Sequence, residues 1–97
     1  MAEGHVNTVV IQGQRYSIRS VLDQDYVLRL AAYVDQKINV AAEGAPGSDT
    51  LRLAVLAALN IADELFRARE ATRARDSQIA ERASELEQMV DRMLMEP

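Results

Sequence analysis

The sequence predicts an α+β fold in which an N-terminal β-hairpin is followed by two helices. The second helix is very long and is expected to form a coiled-coil stalk between several copies of the chain, so the protein is oligomeric. Three observations support this fold. Residues 6–11 are mostly β-branched and residues 15–19 alternate in polarity, apolar residues recur at helical spacing across 26–41, and residues 49–96 contain no glycine or proline.

The first two segments have the pattern of a β-hairpin. Residues 6–11 favour a strand, and the three residues after them form a turn in which Gly13 can take a positive φ. In residues 15–19 the side chains of Tyr16 and Ile18 point to one face, which we expect to pack on the helices. Because a lone two-stranded hairpin is barely stable, we expect the hairpins of two chains to join in a four-stranded sheet.

The next segment has the apolar spacing of an amphipathic helix that ends near Ala42. Asp23 is the expected N-cap, and the carboxylate of Asp25 complements the positive end of the helix dipole. The apolar residues recur three and four positions apart and form one face: Tyr26, Val27, Leu30, Ala31, Tyr33, Val34, Ile38 and Ala41.

Residues 43–48 are rich in turn-forming residues and connect the two helices, and Ser48 or Asp49 is expected to cap the second helix. A glycine-containing run before a helix also occurs in phosphate-binding loops. This run lacks the lysine and the spacing of a P-loop and does not follow a strand, so an ordinary turn between helices is the better interpretation.

The long helix would extend roughly 70 Å at 1.5 Å per residue, and a chain of 97 residues cannot cover it along its whole length. Residues spaced seven apart from Leu51 to Met93 and from Val55 to Val90 form the d and a rows of a heptad seam. The distal part of these rows is the predicted oligomer seam, which is polar at first and apolar later: Arg69, Thr72, Asp76, Ile79, Ala83, Leu86, Val90 and Met93.

The two halves of this helix differ in how far apolar residues spread around it. Residues 51–66 are apolar nearly all round, which is typical of a helix buried on every side. We therefore expect a globular head at 6–66 and a projecting coiled-coil stalk at 67–97. Within the stalk, Arg69 and Asp76 lie one heptad apart and are expected to pair across an antiparallel crossing.

Composition limits the classes of function. The formal net charge of −4 disfavours nucleic-acid binding, and the absence of cysteine excludes disulfides, thiolate metal sites and a cysteine nucleophile. No apolar run reaches the length of about 18 residues needed to cross a membrane, and residues 1–5 do not resemble a secretory signal. We expect a cytoplasmic protein that uses no cofactor or metal and binds neither nucleic acid nor membrane.

No set of residues has the pattern of a catalytic site, so we expect a protein that is not an enzyme. His5 is the single histidine, and it lies in an N-terminal end that is expected to be irregular, without a second ligand nearby. The carboxylates of Asp63 and Glu64 are adjacent but belong to no predicted pocket. Arginines within 67–75 spread around the helix, which favours a solvated neck over a nucleic-acid-binding stripe.

The surface of the head remains as a candidate for partner binding. Its basic side chains lie on the hairpin, on the first helix and at the start of the second: Arg15, Arg19, Arg29, Lys37 and Arg52. They form either a patch for an acidic protein partner or scattered solubilising charge, and the sequence is compatible with both.

Three stretches carry a resemblance to a known family. They are VIQGQRY at 10–16, AAYVDQKI at 31–38 and RLAVLAALNIADEL at 52–65, and a helical tail follows them. In this order they resemble the ZapA family of bacterial cell-division proteins. The Ala-Leu-Asn-Ile run and the hairpin Gly13 are the most specific parts. The resemblance covers residues 6–66, and beyond them only the helical character matches.

This resemblance implies a non-enzymatic protein that binds the tubulin-like GTPase FtsZ and cross-links and bundles its filaments in the division ring at midcell. Members of the family form homodimers through their heads, and two dimers join through antiparallel stalks into a homotetramer. Their filament-binding surface is placed on charged residues of the head. The position after the hairpin glycine is often arginine in relatives and is Gln14 here, so Arg15 or Arg19 is expected to replace that contact.

Two alternatives come from other classes of protein. The first is a generic coiled-coil oligomeric adaptor that recruits another cytoplasmic protein and bundles no polymer. The second is a nucleic-acid-binding protein that uses the arginine neck, whose binding would weaken steeply with salt.

Overall fold

The computed structural model describes residues 4–95. Four elements follow one another along the chain: β1 at His5–Ile11, β2 at Gln14–Ser20, α1 at Gln24–Gly44 and α2 at Thr50–Met95. The predicted fold class is confirmed, since a two-stranded antiparallel hairpin precedes two helices and the second helix has 46 residues.

The chain divides into two compact units, Met1–Ile61 and Ala62–Pro97. The first contains the hairpin, α1 and the start of α2, and the second contains the rest of α2. The element boundaries differ slightly from those predicted. His5, expected in an irregular end, is the first residue of β1, and α1 continues to Gly44, two residues beyond Ala42.

A two-residue turn joins β1 to β2. Ile11 pairs with Gln14, so the turn consists of Gln12 and Gly13, and Gln14 belongs to the strand. Both turn residues have a positive φ, 54° at Gln12 and 76° at Gly13, which is the geometry of a type I′ hairpin. Glycine adopts this conformation at no steric cost, whereas glutamine rarely adopts it. Contacts outside the turn therefore have to compensate at Gln12.

The register of the hairpin assigns its side chains to two faces. Val9 lies opposite Tyr16 and Asn7 lies opposite Ile18, and cross-strand partners share a face. Val9 and Asn7 are buried, whereas Tyr16 and Ile18 keep 46% and 38% of their surface exposed. The predicted common face of Tyr16 and Ile18 is confirmed, but β1 supplies the buried side chains of this face.

The core of the first unit lies between β1 and α1. Val9, Val27 and Ala31 form one buried cluster, against which Ile11 packs. The other buried residues of α1 belong to its predicted apolar face: Ile38 and Ala41. Three further members of that face stay at least 40% exposed: Tyr26, Leu30 and Tyr33. Since full burial of an aliphatic side chain contributes only about 1.5–3 kcal/mol, so small a cluster gives one chain little stability.

The N-terminus of α1 lies where the sequence predicts it. Asp23 occupies the N-cap position in extended backbone, and its carbonyl oxygen accepts a hydrogen bond of 3.0 Å from the N–H of Val27. Its side chain makes no capping hydrogen bond, so Asp23 caps α1 by its backbone alone. Asp25 lies in the first turn, where its charge complements the helix dipole.

The connector between the helices is an ordinary turn, as the sequence indicates. The N–H of Ser48 donates to the carbonyl oxygen of Ala45 at 3.3 Å, and Gly47 has a φ of 82°, which is typical of the third residue of a type II turn. The Oδ1 of Asp49 accepts a hydrogen bond of 2.7 Å from the N–H of Arg52. Asp49, rather than Ser48, is therefore the N-cap of α2.

Asn7 is a buried polar residue, 3% exposed, and its Nδ2 has no hydrogen-bond partner within residues 4–95. We expect Asn7→Val to raise the free energy of unfolding by about 1–2 kcal/mol, because valine favours strands and leaves no amide unsatisfied. Urea denaturation at a fixed protein concentration measures this change. The matched control is Thr8→Val on the exposed face, which should alter stability by less than about 0.5 kcal/mol. A less stable Asn7→Val variant would contradict the prediction.

Candidate interaction surfaces

The face of the hairpin turned away from α1 is exposed on both strands. We call it the outer hairpin face, and it consists of three cross-strand pairs: Val6–Arg19, Thr8–Ser17 and Val10–Arg15. Val6 and Val10 each keep 55% of their surface exposed, and each lies opposite an arginine. Guanidinium groups beside β-branched side chains form a surface suited to an acidic protein partner.

Three of the six predicted partner-binding residues lie on β2, and they divide between its two faces. Arg15 and Arg19 share the outer hairpin face, whereas Gln14 lies on the opposite face of β2. There the Oε1 of Gln14 accepts a hydrogen bond of 2.9 Å from the hydroxyl of Tyr16. The amide of Gln14 therefore does not belong to the surface that Arg15 and Arg19 form.

The basic side chains of α1 lie over aromatic rings of the same helix. The Cζ atom of Arg29 is 5.3 Å from the ring centroid of Tyr26, and the Nζ atom of Lys37 is 5.2 Å from that of Tyr33. These are cation–π distances, worth about 0.5–1 kcal/mol at exposed sites. Arg52, the last of the six, lies in the first turn of α2. Arg15 and Arg19 are the two candidates that the strand register places on one face.

A hydrogen-bond network that the sequence did not reveal joins the hairpin turn to α1. The N–H of Gln12 donates to the Oδ1 of Asp35 at 2.7 Å, and the Nε2 of Gln12 donates to the same oxygen at 2.9 Å. The Nε2 also donates to the Oδ1 of Asn39 at 2.8 Å and, over a longer 3.4 Å, to the carbonyl oxygen of Asp35. We call these three residues the hairpin clasp. They hold Gln12 in its uncommon conformation.

Beside the clasp, an apolar groove runs between the hairpin and α1. Its one polar side chain is Ser20, whose Oγ accepts a hydrogen bond of 2.9 Å from the N–H of Leu22. The groove is otherwise lined by aliphatic residues: Ile11, Ile18, Leu22, Val27, Leu30, Ala31 and Val34. The aliphatic part of this lining suits the apolar side chains of another helix.

The first half of α2 exposes a large apolar surface. Residues 51–66 are expected to be buried on every side, but Ala57 is the single buried residue of α2 in the described part of the chain. Leu51 keeps 75%, Leu59 61% and Phe66 62% of its surface exposed. The expectation is therefore not met within one chain, because a single copy supplies too little surface to cover this helix.

The predicted oligomer seam lies on the second unit and is open to solvent. Every described residue from 65 to 95 is exposed in the single chain. The large apolar members of the seam keep between 53% and 74% of their surface exposed: Ile79, Leu86, Val90 and Met93. The hydroxyl of Thr72 donates to the carbonyl oxygen of Ala68 at 3.0 Å, within the helix itself. The pairing of Arg69 with Asp76 between chains stays a prediction.

The remaining candidates are a metal site and the adjacent carboxylates of α2. Among residues 4–95, no group of three or more histidines or carboxylates is placed to hold a metal ion. The Oδ2 of Asp63 lies 3.1 Å from the Nε of Arg67, one turn further along α2. This is an ordinary solvent-exposed ion pair within one helix. In the same described range, no helix is long and apolar enough to cross a membrane.

The described residues thus combine a hairpin with a long helix whose apolar rows are exposed, which is typical of the class of proteins that bind other proteins. The sequence model of the family described as Cell division protein ZapA matches residues 8–93. The chain belongs to this family of cell-division proteins. The family is a structural one and is not a known family of enzymes.

Individual relatives agree with this assignment. The cell division protein ZapA of Shouchella clausii (strain KSM-K16) is 42% identical over 60 residues, which are 62% of this chain and 77% of the relative. The cell division protein ZapA of Halalkalibacterium halodurans is 38% identical over 63 residues, covering 65% of this chain and 69% of that protein.

Two solved structures share the fold. A ZapA mutant dimer from Geobacillus stearothermophilus is 32% identical and superposes with a TM-score of 0.62, covering 78% of this chain and 88% of that one. A conserved bacterial protein of unknown function from Pseudomonas aeruginosa PAO1 is 31% identical and superposes with a TM-score of 0.74, covering 90% and 97% of the two chains.

The exposed seam generates a prediction about assembly. We expect Leu86→Lys to lower the mass of the protein in solution while the hairpin and α1 stay folded, because an ammonium group in an apolar interface is costly. Light scattering measures the mass, and circular dichroism checks the fold. Gln88→Lys adds the same charge outside the heptad rows and should leave the mass unchanged. Equal masses for Leu86→Lys and the wild type would count against the seam.

Proposed function

We propose that this protein binds FtsZ filaments and cross-links them into bundles in the division ring, as a non-enzymatic cytoplasmic component at midcell. Membership of the cell-division family ZapA supports the process, and the exposed apolar rows of α2 support the mechanism. The observation that carries the proposal is this long helix, because it gives one chain both a head and a means of joining other heads.

The heads are proposed to form homodimers. The groove beside α1 and the apolar first half of α2 are both uncovered in one chain, and both are complementary to helical apolar side chains. A dimer among the structural neighbours supports this step. In such a dimer the head extends over residues 6–66, and the hairpins of two chains join into one four-stranded sheet.

The stalks, residues 67–97, are proposed to join two dimers into an antiparallel homotetramer. The apolar members of the seam are exposed over about four helical turns, from Ile79 to Met93, and need partner helices. An antiparallel crossing brings Arg69 of one chain near Asp76 of another, where opposite charges fix the register. It also carries a pair of heads at each end of the assembly.

With two head pairs in one assembly, weak binding of each pair to a filament is enough for bundling. Once one head pair holds a filament, the second binds the neighbouring filament at a high effective concentration, so avidity exceeds the affinity of either pair. Bundling therefore depends on the tetramer, whereas binding to a single filament depends on the head alone.

The outer hairpin face is the proposed contact with FtsZ. Arg15 and Arg19 supply two positive charges on a protein whose net charge is −4, and no acidic side chain belongs to the three cross-strand pairs of this face. Salt bridges and hydrogen bonds to an acidic partner would give this contact its specificity and rate of association. Gln14, Arg29, Lys37 and Arg52 are proposed as secondary contacts around the head.

Sedimentation of FtsZ filaments tests the function. We expect the wild-type protein to pellet with the filaments and to increase the amount of polymer recovered at low speed, which reports bundles. The double variant Arg15→Ala, Arg19→Ala should lose about tenfold or more in affinity, since each removed charge pair contributes roughly 1 kcal/mol.

Arg67→Ala is the matched control for that experiment. It removes an arginine from the exposed surface of α2, and its loss should leave filament binding unchanged. If the wild-type protein neither pellets with FtsZ nor increases low-speed polymer, the alternative function as a coiled-coil adaptor for another cytoplasmic protein gains support.

A further inference from the structure

We propose that the hairpin clasp is a positioning device for partner binding: Asp35 fixes the direction of the hairpin tip, through Gln12, so that Arg15 meets its acidic partner in one orientation. The inference rests on the proposed function, because it assigns a role in filament binding to residues that do not themselves contact the filament. It concerns three residues that lie 23 and 27 positions apart in the chain.

The hairpin tip needs such a device because the rest of the hairpin holds it weakly. Two strands alone are barely stable, and the apolar contacts with α1 come from Val9 and Ile11 of β1. Apolar contacts are non-directional, so they tolerate small rotations of the hairpin over the helix. Hydrogen bonds depend on angle as well as distance, and the clasp places them at the tip, where a rotation moves side chains furthest.

The chemistry of the clasp is stronger than that of neutral contacts. Asp35 accepts two hydrogen bonds on one carboxylate oxygen, at 2.7 Å and 2.9 Å, and bonds to an ionised acceptor are roughly twice as strong as neutral ones. The identity of residue 12 also fits this role. Asparagine is favoured at this turn position, but its side chain is one methylene shorter than that of Gln12, which reaches Asn39 as well.

The two arginines of the outer hairpin face lie at different distances from the clasp. Arg15 pairs with Val10, one pair away from the turn, whereas Arg19 pairs with Val6 near the open end of the hairpin. The two arginines are four residue steps apart along β2, a distance of about 13 Å. The aliphatic part of the Arg19 side chain also lies against Gly4, since a Cβ added to Gly4 would be only 3.1 Å from the Cγ of Arg19. Loss of the clasp should therefore displace Arg15 and leave Arg19 in place.

The first experiment measures the affinity of single variants for FtsZ filaments by sedimentation. We expect Asp35→Ala to weaken binding about tenfold, because it removes both bonds to the carboxylate. Asp35→Asn keeps an oxygen at the same position and should restore most of the binding. Glu81→Ala removes a carboxylate from an exposed position of α2 outside the heptad rows and should bind as the wild type does.

The second experiment separates positioning from a general loss of structure. A double-mutant cycle of Asp35→Ala with Arg15→Ala should show strong non-additivity, since a displaced arginine no longer contributes to binding. The corresponding cycle with Arg19→Ala should be additive. Equal coupling to both arginines would overturn the proposal, because it would mean that Asp35 merely supports the fold of the whole head.

If Asp35→Ala fails to fold, Gln12→Asn carries the test. This variant keeps a side chain that suits the positive φ of residue 12, so the turn should form, but it loses the reach to Asn39. We expect unchanged thermal stability with affinity reduced about threefold or more. If this variant binds FtsZ filaments with wild-type affinity, the positioning role of the clasp is wrong and the proposed function still stands. If the wild-type protein does not bind FtsZ at all, the proposed function is wrong as well.

Discussion

The constraint on which the structure depends is the shortage of apolar core within one chain. Six apolar residues are buried among those described, and one of them, Ala57, belongs to a helix of 46 residues. Apolar side chains such as Leu51, Leu59 and Met93 remain mostly exposed. The association proposed above would cover these side chains, and it would link folding of the head to protein concentration.

The hairpin illustrates how a small element is held by two kinds of contact. Val9 in the middle of β1 and Ile11 beside the turn hold the hairpin on α1 by burial, and the clasp from Gln12 to Asp35 adds directional hydrogen bonds at the turn itself. Burial alone would fix the distance between the strands and the helix. The clasp also fixes the orientation of the hairpin relative to α1. The outer hairpin face depends on this distance and this orientation, because its side chains project from the same two strands.

Local patterns in the sequence predict the strands and helices well. They do not predict features of the hairpin turn that depend on residues far away in the sequence. Apolar spacing gives both helices, and Gly13 marks the hairpin turn. The positive φ of Gln12 belongs to the two-residue turn, but the contacts that stabilise a glutamine there come from Asp35 and Asn39 in another element. The placement of Gln14 follows from the two-residue turn, which moves it from the turn into β2.

Sedimentation equilibrium of the wild-type protein over a wide dilution range, with circular dichroism on the same samples, measures whether the helices depend on association of the chains. We expect a mass of two or four times the 10.8 kDa of a single chain, and a loss of helical signal when dilution dissociates the assembly. A particle of 10.8 kDa that keeps its full helical signal on dilution would contradict it, because α2 would then be stable without sister chains.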